Sequence, residues 1–183
     1  MNLVLIRHGE TEENRSGIIL GQKHGNLTQE AKQDIKRLRK ELERIKIDIV
    51  YTSDLKRCVE TAKILFEHRD IKTILESRLR EINFGIYQGQ KYSSIQDNYL
   101  NDLNKKFPNG ESNNDFIKRV ISFINDLIDD NNNRTAALVC HSGTISIIKS
   151  SAKQISYSVE IQNKAKHNKI YELTIKDKLN YPT

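Results

Sequence analysis

The segment Asn2 to Ile6 is a short and almost unbroken apolar run, and Ala136 to Cys140 is a second. Apolar runs of this length without polar alternation belong to strands buried on both faces of a parallel sheet. Ile47 to Tyr51 and the residues near Lys72 to Leu75 read as two more strands, and Ile170 to Ile175 as a last one in which Tyr171 and Leu173 alternate with their neighbours. Helical spacing fills the intervals. Thr28 caps a helix to about Ile45, with Leu27, Ala31, Ile35, Leu38 and Leu42 along one face. Asp54 to about Glu67 is a second helix, and Ser112 with Asp115 forms a capping box for a long one to about Asp129. Asn131 to Asn133 reads as a turn, and a further helix is expected just after Cys140. Such alternation predicts a three-layer α/β/α sandwich with a mainly parallel central sheet. Ligands of such sheets sit beyond the carboxyl ends of the strands, where the chain order reverses.

Two stretches break the alternation. Leu79 to Phe107 holds a Gly-rich turn at Phe84 to Gly89 and then weakly periodic short helices, so a lid or insert is expected at about 82–111. Ser150 to Lys169 matches no element. At 183 residues the whole chain, 1–183, is expected to be a single domain with enough interior to fold without a disulfide or metal staple.

Composition narrows the function classes. The 37% apolar and 30% charged content is that of a globular domain. No apolar run approaches the ~20 residues of a membrane-spanning helix, and the chain opens directly on a strand, so a cytoplasmic protein without a membrane partner is expected. Cys58 and Cys140 read as buried free thiols in that reducing setting, and no Cys/His spacing suits zinc. The net charge of +6 raises nucleic acid as a partner. Its lysines, however, are interspersed with Glu and Asp along helices, as in Lys32 to Arg44, with no basic patch interleaved with aromatics, so no nucleic acid is expected.

The chemistry-bearing residues follow three of the strands. Arg7, His8 and Gly9 come directly after the first, placing an arginine beside a histidine at a turn. After the second, Arg57 falls on the first turn of a helix, where backbone N–H groups already favour an anion. His141, Ser142 and Gly143 follow the fourth. One histidine after one strand is usually structural, but two arginines and two histidines at one sheet edge form a nucleophile beside a phosphate clamp.

At this point the sequence resembles a known family. Leu5-Ile6-Arg7-His8-Gly9-Glu10-Thr11 is similar to the signature of the histidine phosphatase superfamily, the phosphoglycerate mutase-like family. Asn26-Leu27-Thr28, Tyr51 to Arg57 with Glu60-Thr61-Ala62, Leu79 to Gly85 with Gly89, Pro108-Asn109-Gly110-Glu111-Ser112 and His141-Ser142-Gly143 extend the resemblance to about residue 150. It implies that His8 is the nucleophile and that Arg7, Arg57 and His141, with Asn14 and Ser142, bind the transferring phosphoryl group. Phosphoryl transfer is mostly positioning and charge stabilisation, so two arginines and a protonated His141 would leave no need for a metal or other cofactor. Glu81 is assigned as the acid that protonates the leaving alkoxide, because a carboxylic acid beside a phosphate dianion keeps its proton and can donate it. Glu10 is a rival whose neighbours suggest a structural place.

The departures from the family pattern lie on the substrate side. Leu20 stands where a polar residue is common, His24 where an Asp is usual, Asn26 for Pro, Ala31 for Gly, and Ser142 for Gly. His24 is read as a loop histidine. The sixty positions from Glu81 to His141 leave less room for an insert than phosphoglycerate mutases have, which favours water as acceptor. The resemblance therefore implies a phosphatase hydrolysing a small phosphomonoester through a phosphohistidine, with α-ribazole phosphate as the leading substrate because Glu81 to Gly85 is similar to α-ribazole phosphatases. The alternatives are a phosphoglycerate mutase, another sugar-phosphate or phosphoserine member, and an inactive phosphate-binding module. Oligomeric state is not legible in the sequence.

Overall fold

The computed structural model describes residues 1–130 and 134–182. Its five-stranded sheet has β1 (Asn2–Arg7), β2 (Ile49–Thr52), β3 (Thr73–Leu75), β4 (Thr135–Cys140) and β5 (Ile170–Thr174) in the order β3-β2-β4-β1-β5. The first four are mutually parallel, with Leu3 opposite Ala136 and Val50 opposite Ala137. β5 runs antiparallel along the free side of β1, with Ile6 opposite Ile170.

The central strands β1, β2 and β4 are buried on both faces, which is why they read as continuous apolar runs. Successive side chains point to opposite faces. Leu3, Leu5, Ala136, Leu138 and Cys140 join the core beneath α5 (Asn113–Asp130) and α6 (Ser142–Lys153). Val4, Ile6, Val50, Ala137 and Val139 join the opposite core beneath α2 (Gln29–Leu42) and α3 (Lys56–Phe66). The α/β/α sandwich with a mainly parallel sheet is thus present.

Local chemistry sets the element ends. Thr28 accepts the Ala31 amide at 3.0 Å to start α2, and Ser112 and Asp115 exchange amide-to-side-chain bonds of 3.0 and 3.1 Å to start α5. α2 stops at Leu42 rather than Ile45 because the amides of Arg44 and Ile45 turn to carbonyls three residues back, tightening the last turn. α3 begins at Lys56 rather than Asp54, since the Asp54 carboxylate is taken by Arg80 at 2.6 Å instead of capping the helix. The Asn-rich turn expected at 131–133 lies outside the described residues.

The two irregular stretches have form. A short helix α1 (Glu12–Arg15) follows β1. Three 3₁₀ turns, Ser77–Leu79, Gly85–Tyr87 and Tyr92–Ser94, and the helix α4 (Asp97–Asn101) occupy the segment between β3 and α5. Gly85 is obligatory there: its φ is +55°, and a Cβ would lie 1.8 Å from the Pro108 carbonyl oxygen. α7 (Tyr157–Glu160) lies in the stretch that matched no element. Cys58 and Cys140 are buried and unbridged, and burial pushes the Cys58 thiol up to about 12. Among the described residues no helix is long and apolar enough to cross a membrane.

Candidate active site at the strand ends

β1, β2 and β4 end side by side, and the residues that follow them meet. His8 is 4% exposed, Arg57 1% and His141 not at all. The turn after β1 is fixed by the Gly9 amide donating to Thr61 Oγ1 of α3 at 3.1 Å. His8 Nδ1 lies 2.7 Å from the Gly9 carbonyl oxygen, which can only accept, so Nδ1 carries the proton. The other nitrogen, Nε2, therefore has the lone pair, and Arg57 Nε donates to it at 3.3 Å. Burial, then Arg57 and Arg7, pushes the His8 pKa well below the ordinary imidazole value, so the ring is neutral at pH 7. A neutral imidazole with Nε2 unprotonated is the form that can attack phosphorus.

Arg57 is committed in four directions. Besides His8, it donates from NH1 to the Lys23 carbonyl at 2.8 Å and from NH2 to the Gly21 carbonyl at 2.6 Å and His141 Nδ1 at 3.2 Å. A guanidinium has five N–H groups, which leaves one on NH1, and Nε–H is freed when Nε2 of His8 is used elsewhere. His141 accepts at Nδ1, so its proton is on Nε2, 3.0 Å from Ser53 Oγ. Burial first, and Arg57 next, holds His141 far below the ordinary imidazole range. The expected protonated His141 is thus neutral, and the positive charge there belongs to the arginines. His141 stands one layer behind the cavity wall, its ring 5.1 Å from that of His8.

Arg7 has open capacity. Its NH1 donates to the Ala165 carbonyl at 2.7 Å, while its buried Nε has no hydrogen-bond partner. Buried N–H groups are rarely left unpaired, and an N–H of a cation at a cavity wall marks where an anion's oxygen belongs. Asn14 also lines the cavity; its Oδ1 accepts from the Thr11 amide at 3.4 Å, leaving the Nδ2 donor for the cavity. Ser142 lines it too. Glu10 also lines the cavity; its carboxylate is bound to Arg15 at 3.2 Å and its carbonyl accepts from the Thr28 amide at 3.0 Å. His24 is exposed and away from the cavity, whereas Leu20 is on its wall.

Glu81 reaches the cavity from the opposite side. Oε2 accepts from the Gly143 amide in the first turn of α6 at 3.2 Å, and Oε1 from the Ile82 amide at 3.0 Å. The approach needs Gly143, since a Cβ there would lie 2.4 Å from Glu81 Oε1. Arg119 of α5, which sequence reasoning did not single out, donates to the Glu81 carbonyl at 2.9 Å and to those of Arg78 and Arg80. It is itself bound to Glu111 at 3.0 Å. The Pro-x-Gly-Glu-Ser turn thus fixes Glu81 through Arg119.

The cavity has a volume of about 660 Å³. Its inner end is polar and its outer wall carries Ile18, Phe84, Tyr92, Leu103 and Ile161. Lys164 Nζ lies 4.9 Å from the centroid of the Tyr92 ring, joining the segment before α5 to the one after α7. His167 is also on the wall. None of Tyr92, Lys164 and His167 was singled out from the sequence, because no motif surrounds them. Among the described residues no group of three or more His, Cys, Asp or Glu is placed to hold a metal ion.

Comparison with known proteins agrees with this geometry. The family model of the histidine phosphatase superfamily (branch 1) matches residues 3–180. Phosphoserine phosphatase 1 of Hydrogenobacter thermophilus is 30% identical over 149 residues, 77% of this chain and 71% of that protein. The adenosylcobalamin/alpha-ribazole phosphatase of Escherichia coli is 30% identical over 156 residues, 81% and 77% of the two chains. In fold, the crystal structure of the alpha-ribazole phosphatase from Shigella flexneri superposes with a TM-score of 0.88 at 24% identity, covering 100% of this chain and 96% of that one.

Proposed function

Because this chain belongs to the histidine phosphatase superfamily and is a phosphatase, we propose that it hydrolyses a phosphomonoester through a phosphohistidine on His8 without a metal. The observation that carries this reading is the His8 tautomer: Nδ1–H is spent on Gly9 and the Nε2 lone pair is held by Arg57. In the first step that lone pair attacks phosphorus and the P–O bond to the alcohol breaks. Glu81, entering as the carboxylic acid, gives its proton to the departing oxygen. In the second step water attacks the phosphohistidine, Glu81 as carboxylate takes the proton, and the N–P bond breaks to restore Nε2 and release phosphate. Arg7 and the freed donors of Arg57 spread the charge of the equatorial oxygens, the task that a metal performs elsewhere. His141 supports the reaction from behind by holding Arg57, and Asn14 and Ser142 complete the phosphoryl pocket.

For the alcohol, the cavity supports the larger of the two esters named for relatives. Its volume and apolar outer wall leave a serine-sized leaving group with few contacts, whereas α-ribazole would reach Tyr92 and Phe84. The segment 82–111 then serves as the lid.

Rapid quench with labelled phosphate esters tests the chemistry. The wild type should yield an acid-labile, base-stable phosphoprotein in the presence of EDTA, and His8→Ala none. Glu81→Gln should slow phosphoenzyme formation about 10²–10⁴-fold for an alkyl ester but far less for p-nitrophenyl phosphate, whose leaving group needs no proton. Label retained in His8→Ala moves the nucleophile elsewhere, and equal slowing for both esters removes Glu81 from proton transfer. A higher kcat/KM for phosphoserine than for α-ribazole phosphate would reject the proposed alcohol.

A further inference from the structure

His167 stands outside the mechanism above, yet it touches the residue that the mechanism depends on. Its Nδ1 lies 2.7 Å from the main-chain carbonyl oxygen of His8, and since a carbonyl only accepts, Nδ1 is the donor. Its ring packs edge-on against the His8 ring at 5.5 Å, and both residues line the cavity. The His8 backbone and ring are therefore held by consecutive bonds. His167 grips the His8 carbonyl, and His8 Nδ1 grips the next carbonyl, that of Gly9.

The turn that carries His167 is anchored independently at several points. Ala165 accepts from Arg7 NH1 at 2.7 Å, the Lys166 amide donates to the Tyr171 hydroxyl at 2.8 Å, and Asn168 Nδ2 donates to Asp34 Oδ2 at 2.9 Å. Asn168 itself adopts a left-handed conformation, φ +57°, which turns the chain into β5. One short segment thus fixes the side chain of Arg7 and the backbone of His8 together. Burial, and then Arg7, holds His167 at a pKa of about 4, so the ring is neutral and Nδ1–H is its donor at physiological pH.

We propose that His167 is a positioning residue of this active site, acting through its Nδ1–H on the His8 carbonyl to hold the nucleophile in line with the phosphoryl group. It touches no reacting atom in this role. The inference rests on the phosphohistidine reading. A displacement of about 1 Å at a reacting centre costs on the order of 10²-fold, so the grip on one carbonyl has catalytic weight.

The test uses p-nitrophenyl phosphate as probe and two variants. His167→Ala removes the donor and should lower kcat about 10–100-fold while KM changes less than about threefold, because the groups that bind phosphate remain. His167→Asn keeps an N–H near the Nδ1 position and should recover kcat to within about threefold of wild type. The rate of phosphoenzyme formation should follow kcat in both. If His167→Ala is insoluble, His167→Asn and His167→Gln are compared instead, since the Gln amide reaches toward the Nε2 position; Asn should be active and Gln impaired. Unchanged kcat in His167→Ala overturns the proposal, and so does an Asn variant no better than Ala or Gln. A wild type that forms no phosphohistidine overturns the phosphohistidine reading as well, whereas an active wild type with a neutral His167→Ala overturns this inference alone.

Discussion

The inner end of the cavity and its outer wall are built on different principles. At the inner end, Arg7 closes a fully paired strand and His8, Arg57 and His141 come after such strands, with the rings of His8 and His141 both bound to Arg57. On the outer wall, Tyr92 is 46% exposed and sits on a single 3₁₀ turn, and the cation over its ring, Lys164, comes from the segment after α7. Strand ends cannot move without breaking a sheet, whereas the outer wall can change residues without disturbing the core. The difference teaches a division of labour: charge and geometry for phosphorus come from the sheet, and recognition of the alcohol from its covering segments.

The sharpest way to break this division is at Arg57. Lysine keeps the charge but presents its donors from one point, so it cannot serve His8, His141, Gly21 and Lys23 together. Arg57→Lys should lower kcat/KM for p-nitrophenyl phosphate by about 10³-fold or more. A loss under tenfold would mean that charge alone suffices and that the hydrogen-bond geometry of the inner end is incidental.

Acid offers a second test, because the histidines of the inner end are buried. His8 and His141 are held neutral well below the ordinary imidazole value and His167 down to about 4. Between about pH 6.5 and the folded pKa values the unfolded chain binds protons that the folded one refuses, so stability falls as pH falls through this window. Each such histidine contributes about 1.4 kcal/mol per pH unit. Tm should drop by about 10 °C or more from pH 7 to pH 5, and by less in His167→Asn. A flat Tm would show that these rings take protons inside the folded protein.

The smallest effect is expected on the outer wall. Tyr92→Ala removes an aromatic face and the ring beneath Lys164. It should lower kcat/KM for α-ribazole phosphate about 3–10-fold and leave phosphoserine within about twofold, as befits contacts worth about 0.5–1.5 kcal/mol. Equal losses for both esters would blur the line between the two regions.

The same division explains what the sequence displayed. β1, β2 and β4 were legible because burial on both faces forces apolar runs, and Arg7, His8, Arg57 and His141 because each sits at a fixed offset from such a run. The cap of α2 and the capping box of α5 were legible for the same local reason. His167 was not, for it follows no strand and belongs to no motif. The signal lay in direction. Because β5 runs antiparallel to β1, the residues before Ile170 must lie beside those after Ile6, but nothing in Ile170 to Ile175 states which way the strand runs. Arg119 was hidden differently: its spacing on α5 is that of an ordinary solvated arginine, and only the packing of α5 over Glu81 gives it carbonyls to hold.

The position of β4 between β1 and β2 also governs how the molecule comes into being. Neither neighbour can pair across the centre of the sheet until β4 has left the ribosome, although β1 emerges first. At ~5–20 residues per second, that delay is on the order of ten seconds, during which Leu3 to Ile6 is an apolar strand with both edges bare. Long-range parallel pairing of this kind folds slowly and exposes sticky intermediates. The nucleophile is therefore made well before the strand that places it, and a nascent chain stalled before Cys140 carries Arg7 and His8 with no pocket around them.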